Sequence, residues 1–218
     1  MIIAVGGTKG GIGKTTLAVQ LATAHVRARR RTWLIDGDAQ GSAISSITNR
    51  GDRPDLPQVA AAHYPEGKTL RAQVLAQRDS FDTIVIDVGG RDSTSLRAAL
   101  MLADLLIVPF RPRNYDVWAL TETSALIAEA RAARDGLRAV AVLNMADPGV
   151  LAADNREAAN AVADFPELDY LDAPIRQRKA LASASSSGLH IDEFRPADPK
   201  ASLEVAAFLR SIDSAMNG

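Results

Sequence analysis

The chain opens on a short apolar run, Ile2–Val5, and then alternates strand-like and helix-like patterns to its end. Apolar runs of four to eight residues bounded by acid, glycine or turn residues predict strands buried on both faces. Thr32–Asp36, residues 83–86 and residues 105–109 have this form, and residues 137–143 end in the same way at Asn144. Residues 83–86 are wholly β-branched, the composition that best fits a pleated surface. Residues 59–63 and 170–175 are weaker strand patterns. Between the strands, residues 15–26 are apolar almost all round, as in a helix packed on a sheet. Further helices are predicted over 43–48 (capped by Ser42), 69–78, 93–102, 116–134, 151–163 and 199–215. Val117, Leu120, Ser124 and Ile127 form the inner stripe of the long one; Val205, Phe208, Leu209, Ile212 and Met216 share a face of the last. Residues 49–57 read as a polar loop, and a basic helical stretch from near Arg176 runs into the serine-rich residues 183–188, which read as a mobile loop. Strand–helix alternation of this kind predicts an α/β fold: one domain over residues 1–218, with a mostly parallel twisted sheet, helices on both faces and right-handed crossovers.

The first strand runs directly into Gly6-Gly7-Thr8-Lys9-Gly10-Gly11-Ile12-Gly13-Lys14-Thr15-Thr16. A glycine-rich turn between a strand and a helix N-terminus cradles phosphate, because its backbone N–H groups approach an anion closely and the helix dipole favours it. In such a P-loop Lys14 reaches the β- and γ-phosphates of a nucleotide and the Thr15 hydroxyl sits on Mg²⁺. The strict pattern G-x-x-x-x-G-K-[ST] fails at one position, where Thr8 replaces its first glycine. What stands is K-G-G-x-G-K-T-T, with an additional lysine, Lys9.

That segment resembles the deviant P-loop of the ParA/MinD class of ATPases, and Lys9 falls on the class's signature lysine. Leu34-Ile35-Asp36-Gly37-Asp38-Ala39-Gln40-Gly41 is similar to the D-x-D-P-Q-G segment of ParA-type members, with Ala39 in place of the proline. The resemblance implies ATP bound by Lys9, Gly10, Gly11, Ile12, Gly13, Lys14, Thr15 and Thr16. It makes Asp38 the acid that orients the hydrolytic water, places Asp36 in the switch I region, and makes Asp87 the Walker B acid that holds Mg²⁺ with Thr15. Lys9 would contact the nucleotide of a second subunit, so that ATP joins two copies face to face. Asn144 falls where the family contacts adenine, and Ile175-Arg176, after Pro174, on the other segment bordering the base. Gly89-Gly90 stand where many members have prolines, which implies a more flexible switch II. Asp36 and Asp38, two residues apart, leave on one side if the backbone there is extended.

Composition narrows the class. The absence of cysteine excludes iron–sulfur clusters, which some relatives with similar P-loops carry, and His25, His63 and His190 have no metal-ligand spacing. A net charge of −1 excludes a wholly basic nucleic-acid binder, so DNA contact needs a local patch. The candidates are Arg176, Arg178, Lys179, Lys200 and Arg210, with Arg195 beside them and a second group at Arg27, Arg29, Arg30 and Arg31. With no aromatics interleaved, they suit duplex backbone rather than stacked single strands. No apolar run approaches the ~20 residues of a membrane span, and the immediate entry into a strand leaves no room for a signal peptide. The expected setting is cytoplasmic, on the nucleoid when ATP is bound. The last helix balances Lys200 and Arg210 against Glu204 and Asp213, unlike a basic membrane anchor. Trp118, off the inner stripe and near Arg111 and Arg113, has the composition of an interface anchor. The resemblance therefore implies a Mg-dependent ATPase that forms a homodimer on ATP, binds non-specific duplex DNA and serves partition with a centromere-binding adaptor. A division-site regulator of the MinD or MipZ sort and an ATP-dependent ligase or synthetase on the same fold remain alternatives.

Overall fold

The computed structural model describes residues 1–147 and 153–217. Seven strands form one sheet: β1 (Ile2–Val5), β2 (Thr32–Asp36), β3 (Ala60–His63), β4 (Thr83–Asp87), β5 (Leu105–Phe110), β6 (Arg138–Ala146) and β7 (Asp169–Arg176). Their order is β3-β2-β4-β1-β5-β6-β7 and every neighbouring pair is parallel. The helices are α1 (Lys14–Arg27), α2 (Ser42–Gly51), α3 (Gly67–Gln77), α4 (Thr94–Leu100), α5 (Asn114–Ala133), α6 (Ala153–Asn160), α7 (Lys179–Ser186) and α8 (Pro199–Asn217).

The period-two alternation of strand side chains divides the core. Ile2 and Ala4 of β1 pack with α3, α4 and α5 on one face, whereas Ile3 and Val5 pack with α1, α2, α7 and α8 on the other. A parallel sheet covered on both faces explains why its central strands are apolar throughout rather than alternating. The carboxyl end of β1 lies between those of β4 and β5, the edge where open α/β sheets bind ligands.

Three local expectations are corrected. Ser42 does not cap α2, because the cap position is Gly41 in a left-handed conformation (φ 67°), and the N-terminal amide of Ile44 is satisfied instead by Asp36 Oδ2 at 2.9 Å. Residues 49–51 extend α2 rather than open a loop, since Arg50 is fully buried and tied to three separate segments. The serine-rich run is helical through Ser186: Gln20 Nε2 of α1 donates to Ser185 Oγ at 3.0 Å, and Leu181 and Ala184 are buried. Tertiary contacts override the weak helix preference of serine there. Of the helix predicted over 151–163, residues 151 and 152 lie outside the described residues, and its end tightens into a 3-10 turn, Ala161–Asp164.

Candidate nucleotide site

Residues 10–15 of the β1–α1 turn line a cleft of 590 Å³ together with Asp38, Gln40, Gly89, Gly90 and Arg91. Gly11 and Gly13 have φ of 70° and 79°, which only glycine adopts at little cost. Among the described residues, none of the amides of Gly10 to Gly13 has a hydrogen-bond partner within the chain, so they stand as donors for an anion. Asn144 Nδ2 donates to Ile12 O at 2.7 Å, and a Cβ on Gly13 would lie 2.4 Å from that nitrogen. The bulged end of β6 thus braces the turn.

Thr8, the departure from the strict pattern, anchors the turn to α5. Its amide donates to Thr123 Oγ1 at 3.2 Å and its hydroxyl to Ala119 O at 3.3 Å. Lys9 Nζ lies 3.5 Å from Asp116 Oδ1, a carboxylate of the same helix that is 2% exposed and also accepts from Arg111. Lys14 is buried with its ammonium donating to Lys9 O. Burial lowers its pKa, against the opposing pull of Asp87 and Asp38.

The three strand-terminal acids separate by environment. Gly37 N donates to Asp87 O at 2.7 Å, and this turn parts Asp36 from Asp38. Asp36 is buried and its oxygens accept from the amides of Asp38 and Ile44, so it shapes the turn and caps α2 rather than facing the cleft beside Asp38. Asp38 lines the cleft, its carboxylate against Gly89. Asp87 accepts from Thr15 Oγ1 at 2.7 Å through Oδ2, while its buried Oδ1 has no partner. Burial pushes Asp87 up to about 7; the Thr15 bond and Lys14 oppose this, and Asp36 and Asp38 add to it. A hydroxyl and a carboxylate with one buried oxygen unpaired are donors a hard cation takes, so these residues fit Mg²⁺.

Switch II packs onto the P-loop. A Cβ on Gly90 would lie 2.5 Å from Gly10 Cα and 2.6 Å from Gly10 N. The glycine expected to loosen this segment instead permits its close approach, and a proline would not fit. Gly90→Ala is therefore expected to displace the P-loop backbone and weaken ATP binding, with an overpacking cost of about 1–3 kcal/mol. The atoms nearest a Cβ on Gly89 are those of the Asp38 carboxylate, from 3.1 Å, so Gly89→Ala should retain ATP and slow its turnover. Titration calorimetry with single-turnover assays of both variants checks the contrast.

The remaining expected site residues lie further out. Thr16 borders a hydroxyl-lined hollow of 340 Å³ with Ser42, Ser45, Ser46, Ser185 and Ser186, adjoining the cleft at Thr15 and Gln40. Ile175 is fully buried, backbone included, and does not line the cleft. Arg176 and Arg178 both grip Glu204 of α8, at 3.0 Å and 2.6 Å. One carboxylate thus offsets two of the expected DNA-contacting cations, whereas Lys179, Lys200 and Arg210 are exposed. No sequence motif marks Asp116 or Thr123, and Gly90 stands out in the sequence only as a departure from the family's prolines; the one trace of Asp116 is an acid in the first turn of a helix after Arg111 and Arg113.

Residues 3–191 match CbiA, the CobQ/CobB/MinD/ParA nucleotide binding domain. The chain belongs to this family. It is 33% identical over 202 residues to the maintenance of carboxysome distribution protein A of Gloeobacter kilaueensis, covering 89% of this chain and 85% of that one. It is 29% identical over 226 residues to the chromosome-partitioning ATPase Soj of Thermus thermophilus, covering 91% and 90%. In structure it is similar to apo McdA of Cyanothece (TM-score 0.75, 16% identity, 97% and 98% covered). A plasmid partition protein of Borrelia burgdorferi bound to AMPPNP is also similar (TM-score 0.72, 16% identity, 98% of each chain). The fold and the family of nucleotide-binding ATPases follow. Among the described residues, no helix is long and apolar enough to cross a membrane.

Proposed function

We propose that the protein is a Mg-dependent ATP hydrolase whose ATP-bound form is a sandwich homodimer that binds duplex DNA without sequence preference and positions a cargo through an adaptor. The carrying observation is that Lys14, Thr15 and Asp38 line one cleft, with Asp87 bonded to Thr15 beneath it, in a chain matched along most of its length by proteins named for positioning and partition. Lys14 and the turn amides hold the β- and γ-phosphates, and Asp38 orients the attacking water. Mg²⁺, held at Thr15 and Asp87, would supply charge neutralisation of the phosphates. Lys9 crosses to the second nucleotide, because two triphosphates facing one another repel unless cations intervene. Because Asn144 and Ile175 are both buried, contact of either with the base requires the turn braced at Ile12 to move.

The cargo is a replicon with a centromere-binding adaptor. A protein body is the second reading, favoured by the relatives named for carboxysome distribution. The metabolic version of the fold separates from the partition and MipZ-like versions on DNA. Pairing two copies brings two sets of Lys179, Lys200 and Arg210 onto one assembly, with Arg176 and Arg178 contributing what Glu204 leaves uncompensated. Retention on random-sequence duplex is expected to require ATP and to weaken with log salt at a slope of about −0.9 per phosphate contacted. Lys200→Glu with Arg210→Glu should lower affinity and slope together and leave ATP-driven dimerisation intact. Arg178→Glu is a poor probe, since it would set a second carboxylate against Glu204. Binding without nucleotide would contradict the switch, and no binding would move the ligase reading to first place.

A further inference from the structure

The cleft lined by Lys14 and Asp38 carries a second cation, Arg91, on the switch II segment between β4 and α4. Arg91 is exposed and, among the described residues, its guanidinium has neither a hydrogen-bond nor an ion-pair partner. The two lysines of the P-loop are engaged: Lys14 donates to Lys9 O, and Lys9 meets Asp116. The acid beside Arg91 is engaged as well. Both oxygens of Asp92 accept from Arg97 of α4 at 2.7 Å, and Arg97 also reaches Glu129. The charge of Arg91 is therefore free to meet a ligand.

The backbone on either side of Arg91 is fixed. Gly90 lies against Gly10, where a Cβ would not fit, and Gly89 faces the Asp38 carboxylate. Beyond Arg91, Asp92 is tied to Arg97, and Ser93 caps α4 by accepting from the Leu96 amide at 3.1 Å. Switch II thus runs from Asp38 onto the P-loop and brings an uncommitted guanidinium into the cleft between them. In phosphoryl transfer, charge spreads over the equatorial oxygens of the moving group, and a fixed cation aimed there lowers the barrier without reorganising. The planar fork of an arginine suits two such oxygens at once.

Resting on the reading above, in which this cleft hydrolyses ATP, we propose that Arg91 is a further catalytic residue. It contacts the γ-phosphoryl group held by its own P-loop and stabilises the charge that develops as water attacks. Lys14 and the turn amides already hold the phosphates of the ground state, so Arg91 acts on rate more than on affinity. It works within its own chain, because Gly90 seats switch II on that chain's Gly10. Lys9 remains the group that crosses to the second nucleotide.

Arg91→Ala in the full chain tests this beside the parent. Single-turnover hydrolysis should slow about 10²–10³-fold. ATP affinity by titration calorimetry should stay within about threefold of the parent, with Tm and the ATP-driven dimer unchanged. ADP with aluminium fluoride, which mimics the phosphoryl group in transfer, should lose affinity by the factor lost in rate. Arg91→Lys keeps the charge without the fork and should recover part of the rate. Arg91→Ala mixed with Asp38→Ala before ATP is added should stay inactive, since each site of a mixed dimer lacks one of its own two groups. A rate within about tenfold of the parent, or an ATP affinity that falls as far as the rate, would overturn the assignment. Loss of the ATP dimer would make Arg91 an interface residue instead. Turnover recovered on mixing would place Arg91 on the partner's nucleotide and overturn the contact within one chain. A parent that does not hydrolyse ATP would fail the proposed function itself, whereas an active parent beside an equally active Arg91→Ala would fail Arg91 alone.

Discussion

Asp38→Ala is expected to bind ATP at the affinity of the parent and to hydrolyse it about 10²–10⁴-fold more slowly, leaving a long-lived dimer. The carboxylate lines the cleft against Gly89 and supplies no bond that holds the P-loop, so its removal spares the cradle. The substitution removes the bond from the Gln40 amide to Oδ1, but His63 Nε2 and the Gly41 amide still meet the Asp38 carbonyl, so the backbone there stays braced. Lys14→Ala should act oppositely, weakening ATP roughly 10–100-fold by removing a charge-assisted phosphate contact. Lys9→Ala should leave ATP bound by a monomer. Equilibrium titration, single-turnover hydrolysis and sedimentation on the same three proteins separate the roles. Hydrolysis by Asp38→Ala at the parent rate would remove it from the water-positioning role, and an unchanged ATP dimer in Lys9→Ala would reject the sandwich.

The central sheet was legible because parallel strands buried on both faces leave apolar runs with abrupt ends. Thr32–Asp36 and Thr83–Asp87 could be bounded almost to the residue, their terminal acids marking the ligand edge. The edge strand β3 was faint because it is half-exposed and mostly alanine. The start of α7 was legible as a basic helical stretch, but its serine-rich end was misread since its helicity depends on Gln20 and on packing against α1, which lie far away in sequence. The site divides in the same way. Phosphate chemistry is written in contiguous motifs, so Lys14, Thr15, Asp38 and Asp87 could be named in advance. Asp116 and Gly90 act through contacts across the fold, and local pattern carries no record of such pairs. Asp36 shows the converse: the motif was read correctly, but the turn at Gly37 gives it a capping role that spacing alone did not reveal.

Glu193→Ala is expected to destabilise the fold by about 3–5 kcal/mol, a fall of roughly 6–20 °C in Tm for a chain of this size. Arg50 has no exposed surface; it donates to Pro57 O and Gly188 O and forks onto both oxygens of Glu193 at 2.7 and 3.0 Å. This ion pair ties α2, which follows the Asp38 turn, to the segment before α8. Removing the carboxylate leaves a buried cation uncompensated, whereas Arg50→Met combined with Glu193→Leu removes both charges and should recover much of the loss. The same region sets the acid limit. Burial alone would raise the pKa of Glu193, but bonds from Arg50 and from the His190 amide outweigh it and hold the group low. Its contribution is present above the ordinary carboxylate range and is lost as pH falls through the folded value. His190, lowered by burial and by Arg27, and His25, lowered by burial and by Arg30, both fall to about 4. The unfolded chain protonates these imidazoles near 6.5 while the fold keeps them neutral, so stability should decline as pH drops from about 6.5 toward 4. Urea unfolding at a series of pH values should show that slope in the parent, with its onset moved to lower pH when His25 and His190 are replaced by Gln. A slope that is the same with and without the two replacements would show that the imidazoles take up protons in the fold as readily as in the unfolded chain, a comparison from which the opposing protonation of Asp87 cancels.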